Sequence, residues 1–108
     1  MSNATDVNDA TFQEEVIDAE TPVLADFWAP WCGYCQRLSP IIDELAGETG
    51  GKFKIVKVNV DQNRSLAQKY GVMSLPTMIL FKGGEQAEKL MGFMPKANIE
   101  AKIKPHLG

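Results

Sequence analysis

The chain has 108 residues, a net charge of -3 and a 44% share of hydrophobic residues. This length is enough for one hydrophobic core, so we expect a single domain over residues 1–108. Basic and acidic residues are interspersed, which argues against a nucleic-acid partner, and no apolar run approaches the roughly 18 residues that span a membrane.

The first residues carry neither the basic nor the apolar segment of a secretory signal, so we expect a cytoplasmic protein. Residues 1–4 are interpreted as a tag remnant or a disordered end. In a reducing compartment, a single pair of cysteines is more often catalytic than structural.

The first part of the chain predicts a helix followed by a buried strand. Asp9 and Thr11 can cap the helix, whose apolar residues recur at helical spacing. These apolar residues are Phe12, Val16 and Ile17. The almost continuously apolar run at 23–29, interrupted only by Asp26, predicts a central strand that is covered on both faces.

A second helix is predicted over residues 32–48, with Pro40 inside it. Its apolar stripe consists of Leu38, Ile41, Ile42 and Leu45. A pair of glycines, Gly50 and Gly51, closes the helix, and residues 53–60 read as a second buried strand. Strand, helix and strand together make a parallel right-handed unit.

The last third of the chain predicts a short helix, a hairpin and a terminal helix. The short helix covers 65–70 and ends at a glycine, and the hairpin strands 77–81 and 88–92 flank a glycine turn. The terminal helix begins near Lys96. These elements predict an α/β fold with a central mixed β-sheet flanked by helices on both faces.

Cys32 and Cys35 are the only cysteines of the chain, and they stand where the central strand gives way to the second helix. Two thiols at this spacing form and break a disulfide with little backbone movement. The helix N-terminus favours a thiolate on Cys32, and the thiolate is the species that attacks disulfides. The pattern therefore predicts a redox-active dithiol.

Four other interpretations of the cysteine pair stay open at this point. They are half of a zinc site, a static disulfide, two inert thiols, and a metal cluster bridged between two chains. A closed zinc site needs four ligands, and the single histidine, His106, lies far along the sequence, so we expect no metal. A disulfide that closes so short a loop removes little entropy from the unfolded chain.

The chain resembles the thioredoxin family over nearly its whole length. The motifs that carry the resemblance are Asp26-Phe27-Trp28-Ala29, Trp31-Cys32-Gly33-Tyr34-Cys35, Pro40, Val58-Asn59-Val60-Asp61, Leu75-Pro76-Thr77 and Gly92. The resemblance implies a thioredoxin fold and a protein-disulfide reductase that acts by dithiol-disulfide exchange. It implies client proteins with disulfides and a thioredoxin reductase as partners, a monomer, and no cofactor besides the dithiol.

The resemblance also implies roles for the titratable residues. Cys32 would attack the client disulfide, and Cys35 would resolve the mixed disulfide. Asp26 would be a buried acid with a raised pKa that accepts the Cys35 proton through water, with Lys57 as its charge partner. The alternatives are an Asp26 solvated at the sheet end and a Lys57 that simply reaches solvent.

A client-binding groove follows from the same resemblance. A cis bond between Leu75 and Pro76 would leave neighbouring backbone free to pair with an extended client segment. Gly92 would complete this groove, and Trp31 and Gly33 would shape the rim around the dithiol.

Position 34 departs from the family pattern, which usually has Gly-Pro between the cysteines. Tyr34 is part of the expected client-binding rim and supplies an N–H where proline has none. We expect this donor to lie near the Cys32 sulfur and to make the dithiol more oxidising. The alternative functions are therefore a more oxidising oxidoreductase or disulfide isomerase, and a docking subunit that binds irrespective of its redox state.

Four bulky apolar residues in the second half of the chain are expected near the groove. They are Met73, Met91, Phe93 and Met94. Methionine adapts to irregular surfaces and suits promiscuous contact, although the same residues could instead fill the core. Trp28 and Asp61 are interpreted as structural supports.

Overall fold

The computed structural model describes residues 4–107, and these fold around one five-stranded mixed sheet in the order β1-β3-β2-β4-β5. The elements are β1 Thr5–Asp6, β2 Val23–Trp28, α1 Gly33–Ala46, β3 Lys54–Asn59, α2 Arg64–Lys69, β4 Thr77–Lys82, β5 Glu85–Met91 and α3 Lys96–Ile103. A π-helical turn precedes β2, and a 3-10 turn follows α3. None of the described helices has the length and apolar character of a membrane span.

Strand β2 lies at the centre of the sheet, parallel to β3 and antiparallel to β4. Because β2 is covered on both faces, its residues 23–27 are all buried, as the apolar run predicts. One face packs against α1 and α3, and the other packs against the π-helical turn and α2. The predicted fold class is confirmed.

The first predicted helix is only one π-helical turn, Gln13–Ile17. Neither Asp9 nor Thr11 is its cap, because the N-cap residue is Phe12 and no side chain caps the turn. The Asn8 side chain accepts the backbone N–H of Thr11 at 3.0 Å in the segment just before it. Asp9 instead accepts a hydrogen bond from the Ser65 hydroxyl at 2.9 Å, which ties this turn to α2.

The edge strand β1 has no counterpart in the sequence prediction. It pairs in parallel with β3, where Thr5 lies opposite Val56. Two exposed residues are too few for an alternation pattern, so only the pairing itself reveals the strand. Of the segment 1–4, residues 1–3 lie outside the described part of the chain, whereas Ala4 packs against the core between α1, α3 and the sheet.

The hairpin of β4 and β5 is confirmed, although β5 begins at Glu85 rather than at residue 88. Gly83 and Gly84 join the strands with φ values of 60° and 82°. Two successive positive φ values match the twist of the flanking strands, and glycine adopts them without strain.

Candidate active site

The dithiol sits at the junction of the central strand and α1. Cys32 is the N-cap residue of α1, and its Sγ accepts a hydrogen bond from the Cys35 backbone N–H at 3.1 Å. The two side chains form a disulfide, with their Cα atoms 5.2 Å apart. The predicted pairing is therefore confirmed.

Both cysteines of the disulfide are almost completely buried. Cys32 is 7% exposed and Cys35 is 5% exposed, because both pack against Ala29 and the partly buried Leu75. What distinguishes them is their surroundings, since only Cys35 lines an inner pocket that contains Asp26.

The hydrogen-bond donor to Cys32 also differs from the prediction. The donor is the Cys35 amide, not the Tyr34 amide. An N-cap side chain reaches the amide of the second or third helical residue, and Cys35 is the third residue after the cap. Tyr34 is nevertheless at the rim, as predicted, with 59% of its surface exposed.

The inner pocket, of about 170 Å³, lies between α1 and the sheet. Its lining residues are Asp26, Trp28, Cys35, Gln36, Ser39 and Lys57. The sequence predicts three of these side chains as catalytic, and the fold brings those three together although they come from two strands and a helix. The pocket is large enough to hold a water molecule between the Cys35 sulfur and the Asp26 carboxyl group.

Asp26 is buried, at 3% exposure, and faces α1 from the middle of β2. Burial raises the pKa of Asp26 to about 7; the positive charge of Lys57 opposes this shift, and the negative charge of Asp43 adds to it. No group among residues 4–107 forms a hydrogen bond to Asp26 Oδ1. The buried alternative is therefore correct, and the solvated alternative is wrong.

Lys57 is the neighbour of Asp26 in the register of β2 and β3, but the two do not form a contact ion pair. The Lys57 ammonium lies 5.1 Å from the centre of the Trp28 ring instead. The lysine therefore influences the carboxyl group through space while its head group is held by a cation-π interaction. This contact agrees with the support role predicted for Trp28.

The segment before β4 contains two of the residues that are predicted to form the client-binding groove, Leu75 and Pro76. The Leu75–Pro76 bond is cis, as the resemblance implies. Leu75 packs against the dithiol, and the Gly92 backbone N–H donates to the Pro76 carbonyl oxygen at 2.8 Å. Three predicted groove residues are thereby brought together beside the cysteines.

Trp31 forms the opposite rim and is held by Asp61. The indole N–H donates to the Asp61 carboxylate at 3.0 Å while 69% of the Trp31 surface stays exposed. This hydrogen bond agrees with the support role predicted for Asp61. Gly33 is open on its outer side, because a Cβ there would have no neighbour within 4 Å.

Large apolar side chains surround this site. The exposed ones are Trp31, Tyr34, Met73, Met91 and Phe93. Of the four residues expected near the groove, three are therefore on the surface, whereas Met94 packs against the core beneath α1. A surface rich in exposed aromatic and methionine side chains is typical of a protein-binding site.

The sequence prediction missed Ser39, Asp43 and Arg37. Ser39 and Asp43 follow Cys35 at intervals of four residues, so all three lie along one face of α1, and this face turns toward Asp26. The spacing of four residues from Cys35 could have identified Ser39 and Asp43 from the sequence. Arg37 lies on the outer surface of α1, and only the fold brings its partner Phe93 to it.

A CxxC disulfide at the start of a helix, placed beyond the central strand of a mixed sheet, defines a thiol-disulfide oxidoreductase. The thioredoxin family profile matches residues 3–105, and the chain belongs to the thioredoxin family.

Individual relatives support the same assignment. The chain is 47% identical over 107 residues to thioredoxin 1 of Nostoc sp., covering 99% of this chain and 100% of that protein. It is 44% identical over 107 residues to thioredoxin of Haemophilus influenzae, with the same coverage. It is 50% identical over 101 residues to chloroplastic thioredoxin M-type of Pisum sativum, covering 94% of this chain and 59% of that one. The protein is accordingly a dithiol-disulfide reductase whose substrates contain disulfides.

Proposed function

We propose that Cys32 is the attacking thiol and Cys35 the resolving thiol of this reductase, and that the dithiol is its only redox group. The observation that supports this order most directly is the hydrogen bond from the Cys35 N–H to Cys32 Sγ at the helix N-terminus. A donor at this position and the helix dipole both stabilise negative charge on the Cys32 sulfur.

The reaction consists of two exchanges. The Cys32 thiolate attacks one sulfur of the client disulfide, so that a mixed disulfide forms, the client S–S bond breaks, and the other client sulfur leaves as a thiolate. The Cys35 thiolate then attacks Cys32 Sγ and releases the second client sulfur. The client gains two electrons and two protons, and the enzyme is left with a Cys32–Cys35 disulfide.

Asp26 accepts the proton of Cys35 in the second exchange. Its carboxyl group and the Cys35 side chain line the same pocket, and its pKa of about 7 lets it take up and release a proton near neutral pH. Lys57 limits how far burial raises this pKa, because its charge favours the carboxylate. Lys57 is therefore a positioning residue that acts through Asp26.

The client lies across Cys32 in an extended conformation. The backbone beside Pro76 offers it strand-like hydrogen bonds, and the Gly92 N–H bonded to the Pro76 carbonyl fixes the shape of this groove. Leu75 and the exposed rings of Trp31 and Tyr34 supply apolar contacts, while Gly33 leaves room next to the sulfur.

Turnover requires a separate thioredoxin reductase that returns two electrons to the disulfide. The protein works as a monomer, because the exposed apolar side chains surround the dithiol and a second copy bound there would block clients. Its compartment is the cytoplasm, where a reducing environment suits this chemistry. Sedimentation at several concentrations tests the monomer, and cell fractionation tests the compartment.

Trapping of mixed disulfides tests the division of roles. Cys35→Ser removes the resolving thiol, so it is expected to accumulate covalent complexes with a disulfide-bonded client, seen on a non-reducing gel. Cys32→Ser is expected to form few, and the variant with both substitutions serves as the control. Equal trapping by the two single variants contradicts the assigned roles, and client capture by the double variant at wild-type affinity favours a docking subunit.

A further inference from the structure

Arg37 is held between two aromatic rings on the outer surface of α1. Its guanidinium carbon lies 5.8 Å from the centre of the Tyr34 ring and 6.0 Å from the centre of the Phe93 ring. At these distances the electron-rich ring faces attract a cation. We name these three side chains the Arg37 stack. The rings restrict the guanidinium to one region of the surface, although all three side chains are exposed.

The Arg37 stack adjoins the dithiol and the groove. Tyr34 follows Cys32 by two residues, and Phe93 directly follows Gly92 of the groove. A surface depression of about 350 Å³ beside the stack is lined by Gly33, Tyr34 and Arg37. A polypeptide that places its disulfide on Cys32 therefore passes close to the guanidinium.

The guanidinium has no acidic partner within the described part of the chain. Asp61, on the other rim, accepts the hydrogen bond of Trp31, and Glu44 of α1 pairs with Lys96 at 2.8 Å. No hydrogen bond within residues 4–107 uses the exposed Arg37 side chain, so its N–H donors are available to a ligand.

We propose that the Arg37 stack binds the carboxylate of an Asp or Glu side chain close to the disulfide of a client protein. The planar guanidinium presents parallel N–H donors that match the two oxygens of a carboxylate. Because the rings already order the arginine, less conformational freedom is lost on binding. The stack thereby selects clients with an acidic residue near the disulfide, an inference that rests on the proposed docking of clients across Cys32.

The test compares two synthetic peptides, each closed by one disulfide and identical except for Glu or Gln beside the attacked cysteine. The protein is first reduced with dithiothreitol and freed of it, and the second-order rate constant for each peptide is measured. We expect the wild type to reduce the Glu peptide about threefold to fivefold faster, the range of an exposed ion pair. This ratio should fall as salt concentration rises.

Two matched variants locate the effect. Arg37→Gln is expected to bring the ratio close to one. Arg64→Gln removes the other arginine of the chain, which lines a different pocket together with Trp31 and Leu75, and is expected to keep the wild-type ratio. A wild-type ratio of one, a ratio unchanged in Arg37→Gln, or an equal loss in Arg64→Gln overturns the proposal.

The aromatic part of the stack has its own test. The double variant Tyr34→Ala, Phe93→Ala is expected to lower the ratio because the guanidinium is no longer held, whereas Tyr34→Phe keeps the ring and should keep the ratio. An unchanged ratio in the double variant overturns the role of the rings. Failure of the wild type to reduce either peptide contradicts the proposed function itself, and reduction of both at equal rates contradicts only the Arg37 stack.

Discussion

Asp26 shows how a single buried residue connects stability with catalysis. Its carboxyl group lies in the pocket with Cys35, and burial raises its pKa from 3.8 to about 7. The folded protein therefore holds the proton more tightly than the unfolded chain does. Ionisation of Asp26 opposes folding, so the contribution of this site to stability is greatest below pH 4 and is lost as the pH rises to about 7.

Asp26→Ala is therefore expected to stabilise the protein at pH 8 while slowing client reduction. The difference between the two pKa values of Asp26 corresponds to about 4 kcal/mol, and lost packing reduces the gain to roughly 2–3 kcal/mol. At pH 3 the gain should vanish, because the carboxyl group is then mostly protonated in both the folded and the unfolded state. Urea titrations at the two pH values measure this, and destabilisation at pH 8 contradicts the explanation.

Tyr34 is expected to influence the redox potential of the dithiol, because it stands where the family usually has proline. Tyr34→Pro removes an amide N–H from the first turn of α1, where backbone donors favour the Cys32 thiolate. We expect a potential more negative by some tens of millivolts, since about 30 mV corresponds to about 1.4 kcal/mol for two electrons. We also expect a higher pKa for the Cys32 thiol. Equilibration with glutathione gives the potential, and thiolate absorbance gives the pKa.

Tyr34→Ala is the matched control, because it removes the ring but keeps the amide. If the amide is the cause, Tyr34→Ala should stay close to the wild-type potential. A shift in Tyr34→Ala as large as in Tyr34→Pro would show that the ring, and not the backbone donor, sets the potential.

At the scale of elements, a buried asparagine joins the N-terminal turn to the loop that supports Trp31. The Asn63 side chain accepts the Asp9 backbone N–H at 2.9 Å and donates to the Asn59 carbonyl at 3.0 Å. Asp61, which holds Trp31, lies within this loop. The rim of the site thus depends on a connection between segments far apart in sequence.

Asn63→Ala is expected to lower the free energy of unfolding by about 1–3 kcal/mol, because it removes both hydrogen bonds and leaves partly buried groups unpaired. Trp31 fluorescence should also change as its support loosens. Asn98→Ala, at an exposed position of α3, is the control and should cost much less. Equal effects of the two substitutions contradict the role of Asn63.

At the scale of the whole molecule, α1 connects the dithiol to the larger core. Its inward residues pack with residues from the sheet and from α3. Ile42 is completely buried in this cluster, whereas its neighbour Ile41 only packs against its edge. The helix that carries both cysteines is thereby fixed to the sheet that carries Asp26.

Ile41 and Ile42 allow a direct measurement of how strongly the packing of α1 against the sheet stabilises the protein. Ile42→Ala is expected to lower the free energy of unfolding by about 2–5 kcal/mol, because it leaves a cavity in a packed core. Ile41→Ala should cost clearly less, since the half-buried site can fill with solvent. Denaturant titration of the two variants decides the point, and similar losses would show that both faces of α1 are equally packed.

Much of the molecule follows from local patterns along the chain. The Cys32–Cys35 spacing, the apolar run of β2 and the glycine turn of the hairpin each lie within a few residues. Helix and strand periods are properties of neighbouring residues, so these patterns predict the sheet, the two helical layers and the redox-active pair. The same pattern places Asp26 in the central strand, but only the fold decides between the buried and the solvated position, because the coverage of that strand end is set by α1.

Packing between distant segments decides the remaining features. Lys57 stacks on Trp28 instead of pairing with Asp26, Arg37 meets Phe93, and the predicted first helix is a single turn held by contacts with α2. Each depends on distances of a few ångströms between side chains that are tens of residues apart. No period or propensity encodes such distances, because they are set when the helices pack against the twisted sheet.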